Sequence, residues 1–384
     1  LSRGLGDVYK RQEGELGMIN EKKVITIIGA GNVGTAMTAI LSQNKELRVI
    51  VYSSKKEQWC KELKYRVMDI DKWNVIEGYE VTDNLEYAVI NSNQIFITLP
   101  SFMRPDMIKK ISAYAQPNTL IAFVPGCGGI EYFCRNLIEN GCEIIGFDRV
   151  PAVSRLVKYG ESVEYDKKKS LKIAGLNVGY DRLLNICDML KDELGIDFKS
   201  IKNYLSITLT PANPIMHPVR LYSMFKNMNR ESEIDHNILF YGEWNDETSE
   251  YLFKCDDELQ DLCRVIGVED IKFLREHYES YTPKAMTEKM HSILSFKKVQ
   301  SPLIPMDNGC YKIDFNSRYF VEDFPYGLFI IKGLADICDV VTPMIDEIIR
   351  WYLTITNQSG EYRNIPFENG IKTIEDIHSL YRMN

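Results

Sequence analysis

The chain lacks most of the features that would settle its chemistry at once. Its nine cysteines are scattered, with no Cys-x-x-Cys pair. That excludes a ribbon-type metal site and a disulfide framework, so no metal is expected and a reducing cytoplasm is the default compartment. Cys255 and Cys263, eight positions apart in a helical pattern, read as core. No apolar run reaches the roughly 18 residues of a membrane span, and the N-terminus has no secretory layout. No Lys/Arg block reads as a basic arm, and a net charge of −8 argues against a nucleic-acid partner. Short basic runs such as Lys167–Lys169 read as a solvated face. Histidine is scarce too, with five in 384 residues.

What is present suits two cores. A hydrophobic content of 45% over 384 residues is enough for two domains. The opening string LSRGLGDVYKRQEGELG, residues 1–17, has no periodicity and resembles translated adapter sequence. It reads as a non-native or disordered extension, with Met18 as the expected native start. The remainder divides into an α/β domain over 18–200 and an α-helical domain over 201–384.

Val24–Ile28 (VITII) is a continuous apolar run, as expected of a parallel strand buried on both faces. It leads into Gly29-Ala30-Gly31-Asn32-Val33-Gly34 and then a small-residue helical pattern over Thr35–Leu41. In this strand–turn–helix setting Gly29 allows a tight turn and Gly31 a close approach to a pyrophosphate. Gly34 lets helix and strand pack closely. The helix N-terminus, with Asn32 and Val33, offers amides and a positive dipole end to the phosphates. Further strands are expected at Arg48–Tyr52, Gln94–Leu99, Leu120–Val124, Glu143–Phe147 and Leu171–Ala174, with helical patterns between most of them. The pattern is that of a Rossmann-type doubly wound sheet, with ligands beyond the carboxyl ends of its strands. Pro100-Ser101 and Pro125–Gly129 lie at two such ends, where backbone amides can line a cofactor.

The second strand bears on which dinucleotide is bound. An NAD-specific site places an acid at its end, on the ribose hydroxyls. Here the strand runs into Ser53-Ser54-Lys55-Lys56, with no acid between Glu46 and Glu57. Hydroxyls and ammonium groups attract a 2′-phosphate, so NADP(H) is favoured over NAD(H). The alternative, a solvated helix start, stays open for the lysine pair.

Beyond residue 200 the pattern turns helical. The amphipathic run Leu183–Leu194 precedes that change, and after it Leu252, Cys255, Leu259, Leu262 and Ile266 recur at helical spacing. Ile337, Val341, Ile345 and Ile348 do the same, and Thr342-Pro343 reads as a helix start. At the junction stands PANPIMHPVR, residues 211–220, whose three prolines around His217 argue against a regular helix or central strand. A histidine held so stiffly over an interdomain cleft suits general acid–base work, best with a carboxylate fixing its tautomer. The candidate partner lies in NSRYFVEDFPYGL, residues 316–328, read as a turn-rich loop presenting Arg318, Glu322 and Asp323. On the residues alone, the partner is ambiguous between Glu322 and Asp323. The other histidines, 236, 277, 291 and 378, read as surface or packing residues.

GAGNVG near the start, NPIMHP at the helical junction and RYFVEDFPYGL before the last helices together resemble the opine dehydrogenases of octopine/nopaline type. The resemblance covers nearly the whole chain after Met18. It implies an NAD(P)-dependent oxidoreductase acting on CH–NH groups. Such enzymes join an amino acid's amine to the carbonyl of an α-keto acid, commonly pyruvate, and reduce the imine. It also implies His217 as the catalytic histidine, Asp323 as its partner and Arg318 as the substrate-carboxylate arginine. Asn213 would orient substrate or nicotinamide, and Pro151 and Arg155 match a looser family stretch.

Two other classes share the layout. Hydroxyacid and ketopantoate-type dehydrogenases commonly use a lysine on a helix of the second domain, and the NPIMHP histidine speaks against them. A non-catalytic NADP sensor would keep GAGNVG but has no need of a histidine, an arginine and an aspartate in one cleft. Within the family, a metallophore-type synthase with a larger amine is open. The partners expected are small-molecule substrates, and an exposed face on the helical domain would support a homodimer.

Overall fold

Continuous burial along the apolar strands builds two cores, one on each face of a single sheet. The computed structural model describes residues 22–68, 70–358 and 360–382, so the opening segment 1–17 and Met18 lie outside the described residues. The strands are β1 (Lys23–Ile28), β2 (Leu47–Tyr52), β3 (Leu63–Val67), β4 (Asn74–Ile76), β5 (Glu80–Thr82) and β6 (Gln94–Ile97). They continue as β7 (Leu120–Phe123), β8 (Glu143–Phe147), β9 (Ala152–Lys158), β10 (Ser162–Lys167), β11 (Ser170–Gly175) and β12 (Asp197–Ser200). The large sheet has the order β12-β11-β8-β7-β6-β1-β2-β5. Its pairs are parallel except β8 with β11.

Successive strand side chains point to opposite faces. Ile95, Ile97, Ile121 and Phe123 therefore join a core that continues into the helices of the second half, through residues such as Ile215, Val219, Phe320 and Phe324. Phe96 and Ala122 face the other way. There they pack with α1 (Asn32–Leu41), the first helix among the described residues, and with Leu183, Ile186 and Leu190 of the helix Tyr180–Leu194. One face of the sheet thus shares its core with the helical half, which seats that half on the nucleotide-binding half.

A second sheet, β4-β3-β10-β9, has no counterpart in the expected strands, and neither does the edge strand β5. The cause is local: LKYRV carries charges on alternate positions, SVEYDK carries three charges, and β4 and β5 are three residues each. Such segments acquire strand character from pairing rather than from their own composition.

The helical half departs from expectation in four places. PANPIMHPVR is helical from Ala212 onward: Ala212–Met216 forms a π-helical turn that runs into α2 (His217–Phe225). Pro218 is tolerated because it lies in the first turn of α2, where a missing N–H is not needed. Likewise Asn316–Leu328 is no loop, since Arg318–Val321 is helical and Phe324–Leu328 is a second π-helical turn leading into the helix Phe329–Ile337. The repeat from Ile337 to Ile348 is broken, because Val341 is 79% exposed between that helix and α3 (Pro343–Ile355). Finally, α3 does begin at Pro343, but the Thr342 hydroxyl donates to the Asp346 carboxylate and accepts from no helix backbone amide. The half also carries a small hairpin, Leu303–Pro305 with Tyr311–Ile313. Among the described residues, no helix is long and apolar enough to cross a membrane.

Candidate active site

The sheet order reverses between β1 and β6, and ligands of such sheets bind at that switch point. Two turns flank it. After β1, Gly29 has φ +114°, a conformation that favours glycine, and a Cβ there would lie 2.7 Å from Thr98 Oγ1. A Cβ on Gly34 would lie 1.7 Å from the Gly29 carbonyl oxygen, so helix and turn are in direct contact. A Cβ on Gly31 would meet nothing within 4 Å. That open side, with Asn32 exposed and Val33 half-buried, faces the uncapped start of α1, whose first turn contains no acid. Unpaired amides beside free space fit a dinucleotide's phosphates. Asn32 also anchors the second sheet, since its Oδ1 accepts from the Leu156 amide at 2.9 Å.

The end of β2 divides its candidates. Ser53 is buried, and its hydroxyl bonds the Tyr159 hydroxyl at 2.9 Å and accepts from the Lys55 amide at 3.1 Å, so its polar capacity is used internally. Ser54 and Lys55 are exposed. Lys55 Nζ lies 5.7 Å from the centre of the Tyr159 ring, whereas Lys56 pairs with Asp83 at 3.4 Å. Tyr159 comes from the β9–β10 hairpin, and no local motif marked it.

After β6, Pro100 leads into a short helical turn, Ser101–Met103. Arg104 follows, 1% exposed, with Nε donating to the Leu99 carbonyl and Nη1 to the Cys127 carbonyl, both at 2.8 Å. One buried guanidinium thus ties together the turns that follow β6 and β7.

Over these turns sits the histidine. His217 opens α2, and its Nδ1 lies 2.8 Å from Asp323 Oδ2, with the two side chains 13% and 16% exposed. Its Nε2 lies 3.1 Å from the Tyr241 hydroxyl. Tyr319 and Phe240 pack edge-on to the ring at 4.7 and 5.4 Å. Burial pushes the Asp323 carboxyl up, against the downward pull of the His217 ring. Burial also pushes the Tyr241 phenol well up, so it stays a neutral donor. A carboxylate on Nδ1 favours the tautomer with a proton on that nitrogen, which leaves Nε2 facing the Tyr241 hydroxyl. Arg220, one turn after His217, donates from Nε to the Phe240 carbonyl at 2.6 Å and thereby places Tyr241. The two π-helical turns meet here, because a Cβ on Gly327 would lie 3.1 Å from Pro214 Cα.

Geometry separates the two adjacent acids. Asp323 faces His217. Glu322 faces the other way, with Oε2 2.5 Å from Arg318 Nε and Oε1 accepting from the Ser101 amide at 2.7 Å. Arg318 stands 71% exposed at the start of its helix. Asn213 is exposed one turn before His217, and its carbonyl accepts the His217 amide. Pro151 and Arg155 are not brought to this cluster. Pro151 is buried, its carbonyl accepting from the Lys168 amide, and Arg155 is exposed on β9 beside a depression it shares with Arg66 and Glu164. Tyr241, Arg104, Arg220 and the role of Glu322 carried no legible signal, because each acts through contacts between distant segments. Among the described residues, no group of three or more His, Cys, Asp or Glu side chains is placed to hold a metal ion.

Comparison with known proteins follows the same division of the chain. Residues 24–140 match the family described as NAD-dependent glycerol-3-phosphate dehydrogenase N-terminus. Residues 200–356 match NAD/NADP octopine/nopaline dehydrogenase, alpha-helical domain. An opine dehydrogenase of Haliotis discus hannai is 26% identical over 365 residues, covering 86% of this chain and 89% of the relative. An octopine dehydrogenase of Pecten maximus is 24% identical over 361 residues, covering 85% and 88%. The solved structure of octopine dehydrogenase with NADH and L-arginine superposes with a TM-score of 0.81 at 21% identity, covering 92% of this chain and 97% of that one. With both halves matched in order and the relatives aligned nearly end to end, residues 200–356 form an alpha-helical domain of octopine/nopaline dehydrogenase type, and the chain is similar over most of its length to opine dehydrogenases.

Proposed function

We propose that this protein joins the amine of an amino acid to the carbonyl of an α-keto acid, pyruvate foremost, and reduces the resulting imine with NAD(P)H. The observation that carries the reading is the His217–Asp323 pair at 2.8 Å, with the exposed Arg318 one helical turn away, above the carboxyl ends of the strands. A hydroxyacid dehydrogenase needs a base for an alcohol proton. An imine needs a proton on its nitrogen and a grip on its carboxylate, which this set provides.

In this reading Arg318 holds a substrate carboxylate through the Nη atoms that Glu322 leaves free, and so orients the imine carbon. His217 Nε2 delivers a proton to the imine nitrogen, and Asp323 holds the opposite edge of the ring and stabilises its cation. Tyr241, on Nε2, is displaced by substrate or relays the proton. Asn213 contributes orientation from its exposed position on the preceding turn. The Gly29–Gly34 turn, the start of α1 and the Pro100-Ser101 turn hold the dinucleotide. When bound in reduced form, the dinucleotide supplies the hydride. NADP(H) is the preferred form, because Ser54 and Lys55 are exposed at the end of β2 and Lys55 has no carboxylate partner among the described residues.

The test is consumption of NADPH and NADH with pyruvate and a panel of amino acids, for wild type and His217→Ala. Turnover that requires both amine and keto acid and is lost in the variant is expected. Turnover with a keto acid alone would move the protein to the hydroxyacid dehydrogenases. Binding of the dinucleotide without turnover on any pair would leave a sensor or a metallophore-type synthase with a larger amine.

A further inference from the structure

Glu322 is 8% exposed and sits between the two halves of the molecule, and each of its oxygens serves a different half. Oε1 takes the Ser101 amide, from the turn that follows β6 on the nucleotide-binding side. Oε2 takes Arg318 Nε, four residues earlier on its own helix. Burial alone would raise this carboxyl, but the Arg318 guanidinium and the Ser101 amide outweigh it and hold it below its ordinary value. It therefore stays an acceptor on both sides.

We infer that Glu322 is a positioning residue that aims Arg318 and locks it to the cofactor-side turn at Ser101. The inference rests on the proposed reaction. A guanidinium presents two forks to a carboxylate, one along its side through Nε and one at its end through the two Nη atoms. Glu322 occupies Nε, so a substrate carboxylate is taken end-on, and the Arg318 side chain is exposed, which leaves that end open to a ligand. Because the same carboxylate holds the Ser101 amide, the distance between the carboxylate grip and the nicotinamide side of the sheet is set by one residue. Arg104 fixes the other end of that turn from beneath, through Leu99 and Cys127.

The experiment is a cycle of Glu322→Gln, Arg318→Ala and the double variant, read as KM for the keto acid, kcat and dinucleotide affinity. Glutamine can still accept from Ser101 but turns a donor toward Arg318. The keto-acid KM should rise about tenfold in Glu322→Gln with kcat changed much less, since one charge-assisted hydrogen bond is lost. In the Arg318→Ala background the same change should have no further effect on KM. An unchanged KM in Glu322→Gln, or an equal rise with and without Arg318, would overturn the inference while leaving the reaction standing. Wild-type protein that shows no amine-dependent turnover would overturn both. Should Glu322→Gln fail to fold, Glu322→Asp keeps the charge one methylene short, and the same comparison applies.

Discussion

His217 Nδ1 and Asp323 Oδ2 are 2.8 Å apart and 106 residues apart in the chain. Each residue lies beside a π-helical turn, Ala212–Met216 before the histidine and Phe324–Leu328 after the aspartate. Such turns are rare and recur at functional sites because they shift side-chain direction without ending the helix. Here they cross at Pro214 and Gly327, so the distance between the two catalytic candidates is set by backbone contact.

Removing the charge from this pair while keeping its shape isolates what Asp323 does. In Asp323→Asn, an amide oxygen can still accept from Nδ1–H, but it no longer stabilises the imidazolium. We expect kcat to fall by about 10²–10⁴-fold with dinucleotide affinity unchanged. The double variant with His217→Ala should be little worse than His217→Ala alone, because the two act as a unit. Steady-state kinetics on the four proteins decides it, and additive losses would separate the roles.

The phosphate-binding turn permits a contrast between two glycines. A Cβ at Gly31 meets only open space, and one at Gly34 meets the Gly29 carbonyl at 1.7 Å. Gly31→Ala should fold with wild-type thermal stability and bind dinucleotide at least about tenfold more weakly. Gly34→Ala should lose stability as well, by about 1–3 kcal/mol, because backbone has to move. Thermal melts with and without dinucleotide measure both. A destabilised Gly31→Ala with intact binding would contradict the assignment.

Charge at the end of β2 should tune the cofactor. Lys55→Glu places a carboxylate where a 2′-phosphate is expected, and the ratio of kcat/KM for NADPH over NADH should fall by about tenfold or more. Ser53→Ala, whose hydroxyl is committed to Tyr159, should change that ratio far less and cost stability instead. If Lys55→Glu leaves the ratio where it was, the discrimination lies elsewhere.

A buried acid away from the site gives a pH signature of folding. Asp256 is fully buried, with Oδ2 accepting from the Leu274 amide at 2.7 Å and Oδ1 without a partner, and burial pushes it up to about 7. An unfolded aspartate titrates near 3.9. Between about 4 and 7 the folded protein therefore holds a proton that the unfolded chain has released. Its contribution is complete at the acid end of that window and is lost as pH rises through it, at no more than about 1.4 kcal/mol per pH unit. Asp256→Asn should flatten this part of the stability profile in urea titrations. An unchanged slope in the variant would show that another group is responsible.

How much of this was legible depended on how local each device is. The run VITII followed by GAGNVG announces a strand, a phosphate-binding turn and a helix, because all three are made by residues adjacent in the chain. The six inner strands of the large sheet were readable in the same way, since strands buried on both faces must be continuously apolar, whereas its edge strands β5 and β12 were not. The second sheet was not, because its strands are half-exposed and obtain their order from pairing across long separations, as Leu63–Val67 does with Ser162–Lys167.

By itself, then, the sequence determined a Rossmann-type half followed by a helical half, and a short set of residues able to do proton and carboxylate chemistry. On the residues alone it left Glu322 and Asp323 as equals, since neighbours on a chain have the same composition-level claim, and Asp323 was singled out by the family resemblance. The tertiary structure shows the physical difference between them. At the crossing of the two π-helical turns, adjacent residues point in different directions, so one carboxylate reaches His217 and the other reaches Ser101 and Arg318. Direction in space is a property of backbone torsion and packing against distant segments, and no reading of neighbours along the chain contains it.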